Sequence, residues 1–421
     1  MAQAVRLRFC KSLNARTVAM LRATRQAAGA ATGALARSAP RRARAPLGTG
    51  VSAERLEEFV RAEQHYFAQQ RAQQALEPLS FQHLVDRSSS TEQIVELLRE
   101  ELPVRFAARI SHIRKMVDWP HVPELVQLHD MHVKSFRDLR LAETLGDSFS
   151  ADTVKRVRNR HKQIVPLFAE AVSKLRRMPA TDFKQSKRTQ TPGEQIENPR
   201  DEQALRCWSD RFLTSRTSTE VLMTHCLASL KDASSIADMS STTIGILDRQ
   251  CDPYEVCQQA AARVEESPFP CVVNVHPPLK KIELCQTPRY LFYIVDELLQ
   301  NSARNTAAVS SSEPVDVTVC ADAHHLVIRI SDKAGGMSFE QAENLWTLRG
   351  CQKDEYMFTP KVSVTERKYP WGKFDGNPLS GRGMGLNMCR LYAQYLGGSI
   401  EIMNLPGLGL DAYLKLRRVD A

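Results

Sequence analysis

Glu297-Leu298-Leu299-Gln300-Asn301 is the stretch from which the rest of the chain can be read. It lies inside Tyr290–Thr306, where the spacing of apolar residues predicts a helix. Residues four apart share a helix face, so Glu297 and Asn301 belong together, with Arg304 three positions further along the same face. A carboxylate, an amide oxygen and a guanidinium can jointly hold a metal–phosphate group. The amide oxygen suits Mg2+, a hard cation that takes oxygen ligands and keeps several waters. Taken alone, such a trio also describes an ordinary solvated helix face.

Two further stretches sharpen the reading. Ser331-Asp332-Lys333-Ala334-Gly335-Gly336 follows the alternating run Leu326–Ile330. A buried Asp332 can accept a hydrogen bond from an exocyclic amine, and Gly335 and Gly336 let backbone approach a flat ring. The bland alternative is a turn that closes a strand. Gly381-Arg382-Gly383-Met384-Gly385-Leu386 leads into a helical pattern, Met384–Leu396. Glycines at a helix start present free N–H groups and the positive dipole end to phosphate. This loop lacks the Walker lysine and does not open a dinucleotide fold. The order and spacing of all three stretches is far more specific than any one.

Outward from these motifs the chain has two textures. From Glu54 to about Ile246 helical periodicity is broken by short polar or proline punctuation. Thr91–Arg114, Ser150–Arg177 and Asp201–Lys231 each carry an apolar face, and Met178–Pro199 between the last two reads as a loop. Three or four long helices of this kind form a bundle. After about Leu247, Cys271–Val275 and Lys281–Leu284 are short and strand-like. Val315–Cys320 and Leu326–Ser331 alternate as paired strands do, and Ser399–Met403 with Asp411–Arg417 closes as a hairpin. The expected fold is α+β, a helical bundle over 46–246 followed by helices layered on a mixed sheet over 247–421.

Together the three motifs resemble the N, G1 and G2 boxes of the GHKL superfamily, which includes sensor histidine kinases and type II topoisomerases. The resemblance implies a Bergerat-type α/β-sandwich ATPase domain that uses ATP and Mg2+. It makes Glu297 the general base, Asn301 the magnesium ligand and Asp332 the adenine reader. Arg304, Gly335, Gly336, Arg382, Met384 and Leu386 join the nucleotide site, and Gly381, Gly383 and Gly385 become the hinge of an ATP lid spanning Trp346–Leu379. Leu102-Pro103-Val104-Arg105, Arg158-Asn159-Arg160-His161-Lys162 and Arg390-Leu391-Tyr392-Ala393-Gln394-Tyr395-Leu396-Gly397-Gly398 look like segments of the mitochondrial α-ketoacid dehydrogenase kinases. The ending Asp411-Ala412-Tyr413-Leu414-Lys415-Leu416-Arg417 is most similar to the branched-chain enzyme, and the Asp-Trp tail of the pyruvate dehydrogenase kinases does not follow it. The family implies a serine/threonine protein kinase that inactivates a dehydrogenase complex by phosphorylating a subunit. It also implies docking on a lipoyl-bearing acyltransferase core, a homodimer, and a catalytic-site role for His161 near Glu297. Three positions depart from the family pattern: Ala334 where Gly is usual, Leu410 where Thr precedes the Asp, and Gln300 where Lys is usual.

Composition agrees. The net charge of +9 suggests a basic, partner-binding protein, yet residues 1–50 hold nine Arg and one Lys and no acid. The remainder has 47 basic against 48 acidic residues, a net of −1. An Arg-rich, acid-free start predicts a mitochondrial presequence over 1–45, a matrix location and no nucleic-acid partner; the bland alternative is a disordered basic arm. No apolar run reaches the ~18 residues of a membrane span. Ten scattered cysteines without a Cys-x-x-Cys pair argue against a metal or disulfide framework. Two other classes stay open: an autophosphorylating histidine kinase, since Pro166 stands five residues after His161, and a nucleotide-binding scaffold without turnover.

Overall fold

The computed structural model describes residues 53–70, 84, 86–87, 90–117, 119–144, 151–178, 201–232, 243–309, 311–346, 368–369, 372–373 and 384–418. The predicted presequence, the loop after Met178, most of the predicted lid, and Gly381, Arg382 and Gly383 lie outside these residues.

The first half is helical. It contains α1 (Ala53–Gln70), α2 (Thr91–Arg114), α3 (Pro123–Thr144), α4 (Ala151–Arg160), α5 (Ile164–Arg177) and α6 (Glu202–Asp232). Among the described residues six helices therefore stand where three or four long ones were expected. Helix α2 starts where Ser90, in extended conformation, accepts a hydrogen bond from the Gln93 amide, which satisfies one of the orphan donors of the first turn. The run read as one helix over Ser150–Arg177 is two, because His161–Gln163 tightens into a single 3-10 turn between α4 and α5. The bundle core is aromatic. Phe168 of α5 stacks on Phe212 of α6 at 4.4 Å, and Trp208 lies 5.5 Å from Phe168. Trp208 Nε1 donates to His112 O (3.1 Å) while the His112 ring sits 2.9 Å from Trp208 O, which ties α2 to α6.

The second half carries β1 (Thr243–Ile244), β2 (Leu247–Cys251), α7 (Pro253–Glu265), β3 (Val273–His276), β4 (Leu284–Gln286), α8 (Pro288–Ala308), β5 (Val315–Ala321), β6 (His325–Asp332), α9 (Phe339–Glu343), β7 (Lys368–Tyr369), β8 (Gly372–Lys373), α10 (Gly385–Tyr395), β9 (Ser399–Leu405) and β10 (Gly409–Arg417). Five strands form a mixed sheet in the order β3-β5-β6-β10-β9, parallel only between β3 and β5. Val317, Val319, Ile328, Ile330, Ala412 and Leu414 alternate onto one buried face, which α7, α8 and α10 cover. Each such Val, Ile or Leu side chain stabilises the packed state by roughly 1.5–3 kcal/mol relative to exposure. Arg329, Tyr413, Lys415 and Glu401 alternate onto the other face. The result is the two-layer α/β sandwich predicted from the motifs.

Helix α10 joins the halves. Arg390 makes an ion pair with Asp210 of α6 (2.8 Å) and stacks over Trp346 at 5.2 Å. Tyr392 stacks on Tyr290 of α8 at 5.0 Å.

Candidate active site

Helix α8 begins at Pro288, whose missing N–H costs nothing at the first helical position, and is buried along most of its length. Its packing against α7, α10 and the sheet fixes the face that carries the N-box residues. Glu297 is 4% exposed, whereas Asn301 and Arg304 are half-buried. Arg304 Nη1 donates to Asn301 Oδ1 at 3.1 Å, so the guanidinium and the amide oxygen act as one unit at the edge of the site. The second lone pair of that oxygen remains for a hard cation.

Gly385 opens α10 directly against Glu297. A Cβ built on Gly385 would lie 1.9 Å from Glu297 Oε1 and 2.5 Å from its carboxyl carbon. The close approach expected between this glycine and phosphate is, at Gly385, an approach to the carboxylate. Met384, the N-cap, is buried and Leu386 is half-buried against the core. The carboxylate also faces Tyr293 and Cys389, whose acidities burial suppresses first and the charge on Glu297 suppresses further.

Asp332 ends β6 and is 4% exposed. Ser302 Oγ donates to its Oδ2 (2.8 Å) and the Ala334 amide to its Oδ1 (3.1 Å). Burial raises its pKa, while the hydrogen bonds from Ser302, Ala334 and Leu410 pull the other way. Gly335 and Gly336 take positive φ of 80° and 73°. At Gly336 a Cβ would meet Leu405 O at 2.8 Å and Asn404 Oδ1 at 2.9 Å, so this glycine serves contact with the β9–β10 hairpin. Asn404 fastens the same loop, accepting from Met337 N (2.8 Å) and donating to Met337 O (2.9 Å). Gly409 belongs here too, since a Cβ on it would lie 1.9 Å from Asp332 O.

The described contacts of His161 lie in the helical half. It is 2% exposed and fills the 3-10 turn between α4 and α5. Ser135 gives its hydroxyl to Met131 O and accepts from Arg160 Nη1, so towards His161 Nε2 (2.9 Å) it also accepts, which places the imidazole proton on Nε2. The ring packs 5.1 Å from Phe106 and 5.2 Å from His132. Burial, then His132 and Arg109, hold its pKa well below the ordinary range, so it is neutral.

The structure thus brings Glu297, Gly385 and the α8 face together, with Asp332 held across from it by Ser302. Ser302, Asn404 and Gly409 were not found from sequence. Only Ser302 gave a signal, its place beside Asn301. Among the described residues no group of three His, Cys, Asp or Glu side chains could hold a metal, and no helix is long and apolar enough to cross a membrane.

Residues 78–248 match a family described as mitochondrial branched-chain alpha-ketoacid dehydrogenase kinase, and residues 286–419 match the histidine kinase-, DNA gyrase B-, and HSP90-like ATPase family. Among similar proteins are mitochondrial pyruvate dehydrogenase (acetyl-transferring) kinase isozyme 4 of Ictidomys tridecemlineatus, 28% identical over 378 residues, and its counterpart in Homo sapiens, 26% over 377 residues; both alignments cover 82% of each chain. Isozyme 1 of Rattus norvegicus is 26% identical over 377 residues, covering 82% of this chain and 77% of the relative.

Proposed function

We propose, given that this chain belongs to the mitochondrial α-ketoacid dehydrogenase kinase family within the GHKL superfamily, that it transfers the γ-phosphoryl group of ATP to a serine of a dehydrogenase subunit. The observation that carries the reading is the contact of Gly385 with the Glu297 carboxylate, which sets the glycine loop beside the candidate base.

In this reading Glu297 accepts the serine proton as the hydroxyl attacks in line, a contribution of ~10²–10⁴-fold. Burial among Tyr293, Cys389 and Gly385 shields that carboxylate from water. Asp332 receives the exocyclic amine of adenine on a lone pair that Ser302, Ala334 and Leu410 leave open, and its orientation is fixed by those three donors. Arg304 steadies Asn301 and adds positive charge at the phosphate end. The half-buried oxygen of Asn301 fits Mg2+, which, when bound, would neutralise charge on the transferred group. Gly381 and Gly383 complete the hinge with Gly385, Arg382 joins the nucleotide site, and Trp346–Leu379 is the lid. Ala334 and Leu410, as departures, leave both backbone donors to Asp332 in place.

The helical half, 46–246, docks on the lipoyl-bearing acyltransferase core, and 247–421 carries the catalysis as a homodimer in the matrix, after removal of the presequence 1–45. His161, buried and neutral, orients the helical layer behind the site; its burial weighs against service as a phosphoacceptor. The named relatives act on pyruvate dehydrogenase, whereas the N-terminal family is named for the branched-chain enzyme. The test is phosphorylation of each purified dehydrogenase in parallel, with radiolabelled ATP. Acid-stable label on a serine of one subunit is the expected result. Acid-labile label on the kinase itself would support the histidine-kinase reading, and ATP binding without any transfer would support the scaffold.

A further inference from the structure

Two helix faces meet at the candidate base. On α8, Tyr290, Tyr293 and Glu297 share one stripe, and on α10 Gly385, Cys389 and Tyr392 share another, each set spaced by three and four residues. The two stripes run antiparallel. Gly385 meets Glu297 at one end; at the other, Tyr392 stacks on Tyr290 at 5.0 Å and stands edge-on to Tyr293 at 4.9 Å. About 10 Å of helix separates the glycine from the tyrosine.

The far end of this contact is tied to the helical half. Tyr392 is 6% exposed, and Arg216 of α6 donates a hydrogen bond to its phenol oxygen. Glu220, one turn further along α6, lies 3.9 Å from the Arg216 guanidinium and accepts from Arg158 Nε of α4 at 3.1 Å. The Arg216 and Glu220 side chains are 13% and 17% exposed. A chain of largely buried polar contacts therefore runs from α4 and α6 onto the α10 face that carries Gly385. For packing alone, a phenylalanine would fill the place between Tyr290 and Tyr293; the hydroxyl adds the tie to Arg216.

The consequence of that tie is rotational. The Glu297 carboxylate fits against α10 because position 385 has no side chain, since a Cβ there would overlap Oε1. Turning α10 about its axis would bring Met384 or Leu386 towards the carboxylate instead. A hydrogen bond to the same face two turns along resists that rotation.

We propose that Arg216 and Tyr392 are positioning residues that lock the rotation of α10 and so hold Gly385 against Glu297. The proposal rests on Glu297 being the base. It makes the helical half part of the catalytic apparatus, because α6 supplies the lock. A plain tie between the halves would give the same hydrogen bond with no effect on the transfer step.

The experiment measures kcat for phosphotransfer, ATP affinity and melting temperature on the full chain. The variants are Tyr392→Phe and Arg216→Gln, each alone and combined with Gly385→Ala. Tyr392→Phe keeps both ring contacts and loses the phenol. Its kcat should fall about tenfold while ATP affinity stays within about threefold, because a displaced base costs rate before it costs binding. Arg216→Gln should lose at least as much. In the Gly385→Ala background, where the carboxylate is already displaced, either substitution should add less than about threefold. Sites this far apart that share no function would instead add in full. An unchanged kcat in Tyr392→Phe with only a lower melting temperature would overturn the proposal, and so would full additivity with Gly385→Ala. If Arg216→Gln or Gly385→Ala does not fold, the kcat of Tyr392→Phe decides alone. Glu297→Gln, run alongside, separates the two readings. An active Glu297→Gln removes the base assignment and this inference with it, whereas an inactive one beside an unchanged Tyr392→Phe overturns this inference only.

Discussion

Gly385 shows how one residue can join two motifs. Sequence reasoning gave its glycine a phosphate to meet, but a Cβ there would stand 1.9 Å from Glu297 Oε1. Gly385→Ala must therefore push the carboxylate aside before it disturbs the nucleotide. The expected outcome is a fall in phosphotransfer of ~10²-fold or more with a smaller change in ATP affinity, checked by initial rates and calorimetry. Equal loss of both would return the glycine to phosphate binding. Glu297, Asn301 and Asp332 were legible because each falls at a fixed offset within a short motif. Ser302 and Asn404 were not, because their partners Asp332 and Met337 lie 30 and 67 residues away and only the folded sheet brings them together.

Among elements, the strands β5, β6 and β10 were legible from period-two alternation, since one face is covered and the other is not. Helix α7 was missed although Asp252 and Pro253 make a clear start; Asp252 accepts from the Tyr254 and Glu255 amides. The break at His161 was missed for a different reason. A single 3-10 turn keeps the chain direction, so the apolar pattern runs through it. The loop after β6 offers a sharp test of how elements hold the site. Gly336→Ala places a side chain at φ 73° and against Leu405 O, so it should destabilise by ~1–3 kcal/mol in denaturant unfolding. Asn404→Ala removes both ties to Met337 without touching the α8 face. It should weaken ATP binding by about 5–30-fold while leaving the pH dependence of the rate unchanged. Unaltered ATP affinity would mean that the loop is held without this contact.

At the scale of the whole molecule, the core is continuous from the bundle to the sheet, and α10 bridges them through Arg390–Asp210 and Tyr392–Tyr290. Buried histidines give this fold a defined acid response. His112 and His225 have pKa values lowered from 6.5 to about 4, chiefly by burial. The unfolded chain takes up their protons between pH 6.5 and 4 while the folded one does not, so the stability they contribute is present above 6.5 and lost as pH falls towards 4. Replacing one such histidine removes that loss. Relative to wild type, His225→Leu should gain up to about 3 kcal/mol as pH drops from 7 to 4, measured by denaturant unfolding at each pH. A constant difference would show that His225 is not buried neutral. The central claim, that Glu297 does chemistry while its neighbour Asn301 holds the metal–phosphate group, is tested most directly by pairing ATP affinity with initial phosphorylation rate for Glu297→Gln and Asn301→Ala. Glu297→Gln should bind Mg-ATP nearly as wild type and lose transfer by ~10²–10⁴-fold, about 3–5 kcal/mol of barrier, whereas Asn301→Ala should lose nucleotide binding as well. A Glu297→Gln enzyme that phosphorylates the dehydrogenase subunit at near wild-type rate would contradict the account.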